Sequence, residues 1–474
     1  MGGREGERAG TAGNPALPQG SKKALKRTLG PGQLAMIAIG GAVGTGLFLG
    51  SGFAIQLAGP AVLVSYAIGG LITLALMGCL AEMTVADPAT GSFGLFAERY
   101  LGRFAGFLVR YAYVTCIILA IGTEVTAVAI YMRYWLPDVA GAWWIGGFGL
   151  ALLAVNLVSV RAFGAVEYLF SAIKVAAILA FIALGLWVIG RGAPGVGLAN
   201  YTAHGGFAPH GLSGIWSAVI VSIFSYLSIE MIAVAAGEAR DPERAIVRAF
   251  RSTMLRLALF YLGSLAVMLA VLPWTQAGTA TSPFVTVMAA SGLPYAAGVI
   301  NAVVLVAALS AMNSQLYTAS RMLFSLADSG LAPRRLGAVD ARGVPVAALL
   351  VSAAGIAVAG GVYAWRPDAA LGVMIAVSIF GALFTWGMIF VTHLAFRRRH
   401  GTPAGFRMWG YPWVSLAGAA TILAILATTP FTAAFAPTLV YGVPVLAVLA
   451  GVYAVCLRPP SSSRRTPGSM DTRG

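Results

Sequence analysis

Three ionisable side chains lie deep inside long apolar runs of this 474-residue chain: Glu124, Lys174 and Glu230. A charge far from water is costly, so each one needs a chemical reason. Lys174 sits within Ser171-Ala172-Ile173-Lys174-Val175-Ala176-Ala177-Ile178. At about 1.5 Å per residue it lies roughly 15 Å from the start of its run, too deep to snorkel easily. A lysine held there is a candidate for taking up and releasing a proton, the alternative being a permanent ion pair. Glu230 offers a titrating carboxylate beside a ligand, or a hydrogen-bonded anchor for an interrupted helix. Glu124 has polar flanks, Gly122-Thr123-Glu124-Val125-Thr126-Ala127, which fit gating and helix packing equally.

The second chemical feature is backbone. Residues 36–52 are apolar enough to enter a bilayer, yet carry glycine at 40, 41, 44, 46, 50 and 52. Each glycine costs a helix interior about 1 kcal/mol relative to alanine. The stretch either packs closely against neighbouring helices or breaks. A broken helix turns free amides and its positive dipole end toward an anion. The break predicted here frees the amides of Gly44, Thr45 and Gly46. A second interruption is predicted at Phe224-Ser225-Tyr226-Leu227-Ser228-Ile229-Glu230, whose carbonyls can accept an ammonium group.

The elements that position these groups are membrane helices. The chain is 59% hydrophobic and 10% charged, against about 25% charged for an ordinary soluble domain. Mean hydropathy is +0.84. At about 20 residues per crossing, the pattern gives about twelve spans: 33–56, 60–82, 104–132, 142–160, 164–190, 212–237, 252–274, 292–323, 345–364, 369–395, 412–429 and 434–457. Residues 1–30 form a basic polar tail, expected to be disordered and cytoplasmic, and residues 458–474 a second tail. The net charge of +15 does not point to nucleic acid, because arginines cluster in short loops and tails. One set of loops carries Arg99, Arg103, Arg161, Arg240, Arg244, Arg248, Arg251, Arg334, Arg335, Arg342, Arg397, Arg398, Arg399 and Arg407; the opposite set holds Arg133, Arg191 and Arg366. That asymmetry predicts both termini in the cytoplasm. Interruptions in spans 1 and 6 fit a five-span repeat with an inverted second copy, residues 33–190 and 212–395, followed by two more helices in 412–457.

Four ordered motifs carry a resemblance across residues 30–457. Gly40-Gly41-Ala42-Val43-Gly44-Thr45-Gly46-Leu47-Phe48 resembles the first-helix signature of amino acid permeases in the amino acid–polyamine–organocation superfamily. Phe224 to Met231, followed by Ala236-Gly237-Glu238-Ala239-Arg240-Asp241-Pro242, resembles their sixth helix and exit loop. Ser310-Ala311-Met312-Asn313-Ser314 through Ser320-Arg321-Met322-Leu323, and Phe406-Arg407 with Tyr411-Pro412-Trp413, continue it. The resemblance implies an all-α, LeuT-like fold of about twelve helices in a five-plus-five inverted repeat, with helices 1 and 6 broken. It implies a substrate site at Ala42, Gly44, Thr45, Gly46, Phe224, Ser225, Leu227 and Glu230, and proton coupling through Lys174 and Glu230. In similar proton-coupled permeases a lysine at this position occupies the place of a sodium ion. Where many relatives have glycine before the Ile/Val/Thr-Glu pair, this chain has Leu227 and Ser228; Leu227 narrows the pocket and argues against large or cationic substrates.

The remaining polar groups divide between structure and gating. Glu82, Glu167 and Glu238 lie near cytoplasmic span ends, where salt bridges to loop arginines such as Arg240 or Arg161 are expected; Glu238 is an inner-gate candidate. Asn313 and Ser314 line the site around Lys174 or make ordinary interhelical hydrogen bonds. The histidines at 204, 210, 393 and 400 form no metal-ligand cluster, and Cys79, Cys116 and Cys456 no disulfide framework. Neither a nucleotide-binding motif nor a nucleophile with a nearby base stands out. The expectation is a multi-pass inner-membrane symporter, not an enzyme, without cofactor or metal. Its partners are an amino acid (neutral), protons and the lipid bilayer, with no nucleic acid. An exchanger or a transport-competent sensor on the same fold is the alternative, and a membrane enzyme or structural subunit the more distant one.

Overall fold

The structure is a computed structural model and describes residues 43–87, 92–192, 194–236, 242–278, 281–401, 403, 405–433 and 435–457. The two tails, Ala42 and Glu238 lie outside these residues. Among the described residues the regular structure is helical throughout. In chain order the α-helices are α1 (Thr45–Phe48), α2 (Gly50–Ala58), α3 (Val62–Ala86), α4 (Ser92–Leu101), α5 (Arg103–Met132) and α6 (Gly141–Val158). There follow α7 (Val160–Gly190), α8 (Gly211–Tyr226), α9 (Met231–Ala236), α10 (Pro242–Arg256), α11 (Ser264–Val271) and α12 (Pro283–Ala290). The last six are α13 (Ala296–Asp328), α14 (Val346–Ser352), α15 (Ala354–Trp365), α16 (Ala370–His400), α17 (Trp413–Thr428) and α18 (Pro437–Val452).

Ten of the helical segments are long and apolar enough to cross a bilayer. They match the expected spans closely, with two differences of physical origin. The segment Gly50–Ala86 holds parts of two expected spans. They are separated at Gly59-Pro60, where Gly59 takes φ +60 and a Cβ would run into Pro209. The expected seventh span is split instead into the amphipathic α10, a π-helical turn over Leu257–Gly263, and the short apolar α11.

Local chemistry explains the ends. Ser159 is extended and its hydroxyl accepts a hydrogen bond from Ala162 N at 3.0 Å, capping α7 directly after α6. Three arginines and a histidine fill the last turn of α16, where cations complement the helix dipole. The helices are apolar around most of their circumference because they face either protein or lipid. α5 is the central pillar, packed against α13, α15 and α16. Its most apolar stretch is 78% buried, whereas that of Pro437–Leu457 is 6% buried, as a helix at the lipid-facing periphery would be. α2 and α3 pack on α8, so both interrupted segments meet beside the pillar.

Candidate functional site

At the position of the first expected interruption, Val43 and Gly44 are non-helical, and the residues before them lie outside the described ones. Gly44 is extended (φ −130, ψ −154) and α1 starts at Thr45. Both sides of this residue are held by ionisable side chains. Lys174 Nζ donates to the Val43 carbonyl at 3.0 Å. On the other side Thr45 N and Thr45 Oγ1 both donate to Glu124 Oε2, at 3.2 Å and 2.5 Å. A protein carboxylate therefore sits on the first amide of the helix start, the position expected for a ligand carboxylate.

The second interruption forms without glycine. α8 ends at Tyr226, Leu227 is extended (φ −55, ψ 150), and Ser228 takes φ 78. A left-handed serine costs roughly 1–2 kcal/mol, and Glu230 supplies the compensation. Its Oε1 accepts from Tyr113 OH at 2.8 Å and from Ser228 N at 3.2 Å; its Oε2 accepts from Trp386 Nε1 at 3.2 Å. Three donors thus converge on a fully buried carboxylate.

The two breaks touch. Ser225 Oγ donates to the Gly46 carbonyl at 2.7 Å and shares a hydrogen bond with Tyr66 OH at 2.8 Å, while Tyr261 OH donates to the Ser225 carbonyl at 3.0 Å. A Cβ on Gly46 would lie 2.6 Å from Ser225 Cα; one on Gly44 would lie 2.8 Å from both Glu124 Oε1 and Ala311 Cβ. Gly46 is thus required by helix approach, and Gly44 by the carboxylate beside it. Between the breaks lies a small pocket lined by Gly44 and Gly46, by Phe224, Ser225, Leu227 and Ser228, and by Glu124 and Gln315.

Behind the first break lies a second polar cluster. Glu167 accepts from Ser310 Oγ at 2.5 Å, Asn313 Nδ2 at 3.0 Å and Ser171 Oγ at 3.3 Å, and Asn156 Nδ2 donates to Asn313 Oδ1 at 2.8 Å. Glu167 and Glu124 are the acidic groups whose charge reaches Lys174. This corrects the expectation that Glu167 pairs with a loop arginine: it is fully buried. The signal was present in the sequence, since Glu167, Ser171 and Lys174 at i, i+4 and i+7 share one helix face. Asn313 binds Glu167, and Ser314 is buried beside it. Glu82 does form a salt bridge, but with Arg397 of α16 (Nε to Oε1, 2.5 Å), with His393 Nε2 3.3 Å away. Tyr113, Trp386, Tyr66, Tyr261 and Gln315 complete the site; a lone aromatic or amide in an apolar helix gives no periodic signal in the sequence.

The arrangement provides a helix start at Thr45 and an interrupted helix at Leu227 and Ser228, a small pocket between them, and ionisable groups bonded to the backbone of both. The family model described as amino acid permease matches residues 33–456. The aromatic amino acid transport protein AroP of Escherichia coli is 40% identical over 438 residues, 90% of this chain and 95% of that protein. AroP of Salmonella typhi is 39% identical over 440 residues, covering 91% and 95%. An amino acid permease of Bacillus subtilis named YtnA and described as uncharacterized is 38% identical over 425 residues, covering 87% and 92%. With a match along nearly its whole length and helices that can cross a bilayer, the chain is a polytopic, LeuT-like membrane transporter and belongs to the amino acid permease family.

Proposed function

We propose that this permease imports neutral amino acids, aromatic ones among them, together with protons across the bacterial plasma membrane, with both termini on the cytoplasmic face. The observation that carries the coupling is the Lys174 hydrogen bond to the Val43 carbonyl at the first break. Loss of the lysine proton removes the charge that holds this carbonyl and loosens the backbone at Val43. A cation fixed at that point also opposes a sodium ion there. Two states that differ in proton affinity couple proton flow to the conformational change. Glu124, on Thr45 at the other side of the break, serves as the gate: it occupies the helix start until substrate carboxylate arrives. Gly44, Thr45, Gly46 and Ala42 supply the carboxylate side of the site. Phe224, Ser225 and Leu227 supply carbonyls for the ammonium group, and Glu230 holds their geometry.

The substrate class rests on the names of the AroP relatives and on the apolar Phe224 and Leu227 in the cavity. Leu227 is apolar and offers no partner to a charged side chain, which weighs against cationic substrates. The test is uptake of a panel of labelled amino acids into proteoliposomes, inside alkaline, in sodium-free buffer. Neutral and aromatic substrates are expected to accumulate. A sodium requirement would overturn the coupling; preference for lysine or arginine would overturn the class.

A further inference from the structure

Gln315 is 3% exposed, lies on α13 and lines the cavity between the breaks. Its Oε1 is buried and has no hydrogen-bond partner among the described residues. Of the other polar side chains that line the pocket, Ser225 Oγ bonds the Gly46 carbonyl and Tyr66, and Glu124 Oε2 bonds Thr45. A buried amide oxygen without a partner is destabilising, and an apolar side chain of the same shape would avoid that cost. An amide at such a place gains from a ligand that completes it. The charged ends of an amino acid find backbone at the breaks, which is the same for every substrate. Gln315 belongs to neither break but to α13, and its carboxamide is a side-chain group in the lining of the same pocket.

We propose that Gln315 is a specificity-determining residue: its carboxamide hydrogen-bonds a donor on the substrate side chain, an N–H or O–H, and so favours donor-bearing neutral amino acids over their apolar isosteres. Because amide oxygen and nitrogen exchange places by a half-turn, an acceptor on the same side chain can be met as well. The proposal rests on the transport reading above and deepens it.

The experiment measures inhibition constants in proteoliposome uptake for matched pairs: tyrosine against phenylalanine, and tryptophan against benzothienylalanine, which has sulfur in place of the indole N–H. The wild-type chain is expected to prefer the donor-bearing member of each pair by about tenfold, the effect of one buried hydrogen bond. Gln315→Met, similar in volume, is expected to bring both ratios near one while phenylalanine affinity stays within about twofold. Wild-type ratios already near one overturn the proposal without need of the variant. So do unchanged ratios in Gln315→Met, and an equal loss for all four compounds, which would place the amide on the substrate's ammonium group. Failure of the wild type to take up any amino acid would instead overturn the transport reading, and this proposal with it.

Discussion

Lys174 and Glu124 grip the two sides of one residue. Lys174 binds the carbonyl of Val43, Glu124 binds the amide and hydroxyl of Thr45, and Gly44 lies between them. The helices that bear them, α7 and α5, are separate elements, so the backbone from Val43 to Thr45 is held from two different walls. A change of charge at either side chain acts on the same backbone.

Thr45→Val removes the hydroxyl donor and keeps the amide. A hydrogen bond to a charged group is worth about 1.5–3 kcal/mol. Lower thermal stability in detergent is expected, together with a change in substrate affinity, because Glu124 is then held by one donor only. Unchanged melting and unchanged affinity would mean that the Glu124 contact does not hold the joint.

Glu230→Gln is expected to lower stability and leave the pH profile of uptake intact. The amide nitrogen would face an N–H or O–H donor whichever way it turns, since donors approach both oxygens. The cost is about 1–3 kcal/mol. A variant with wild-type melting and a flattened pH profile would return Glu230 to the coupling role.

Ser228→Gly is expected to stabilise the protein. The left-handed conformation costs serine roughly 1 kcal/mol and glycine little, so the melting temperature should rise by about a degree or two. A fall in melting temperature would show that the serine side chain contributes more than the strain removes.

Gly46→Ala and Gly44→Ala separate packing from binding. The added carbon at 46 meets the backbone of Ser225, so Gly46→Ala is expected to disturb contact between the two breaks and to lower both stability and uptake. At 44 it meets Glu124 Oε1 and Ala311, and the expected result is altered gating with smaller loss of stability. Equal stability of the two variants, measured by thermal unfolding in detergent, would contradict this division.

Much of this was legible in the sequence. Glycine density pointed to the stretch where Val43 and Gly44 are non-helical and a helix starts at Thr45, and the depth of Lys174 in its apolar run marked it as a charge that needs a partner, which the Val43 carbonyl supplies. The second break was harder to read, because Ser228 adopts a conformation that glycine normally signals. Its support comes from Tyr113 and Trp386, 117 and 156 residues away from Glu230. The Thr45–Glu124 pair spans 79 residues, and no local pattern announces a partner at that distance. Glu167 was visible but assigned to a span end: nearness to a predicted boundary outweighed the face it shares with Lys174.

The most direct test of proton coupling is Lys174→Ala in proteoliposomes with an imposed pH gradient, inside alkaline and sodium-free, with and without internal amino acid. The account predicts that the wild type accumulates substrate above its external concentration. It predicts that the variant loses accumulation yet still exchanges internal for external amino acid. Full gradient-driven accumulation by Lys174→Ala would contradict it.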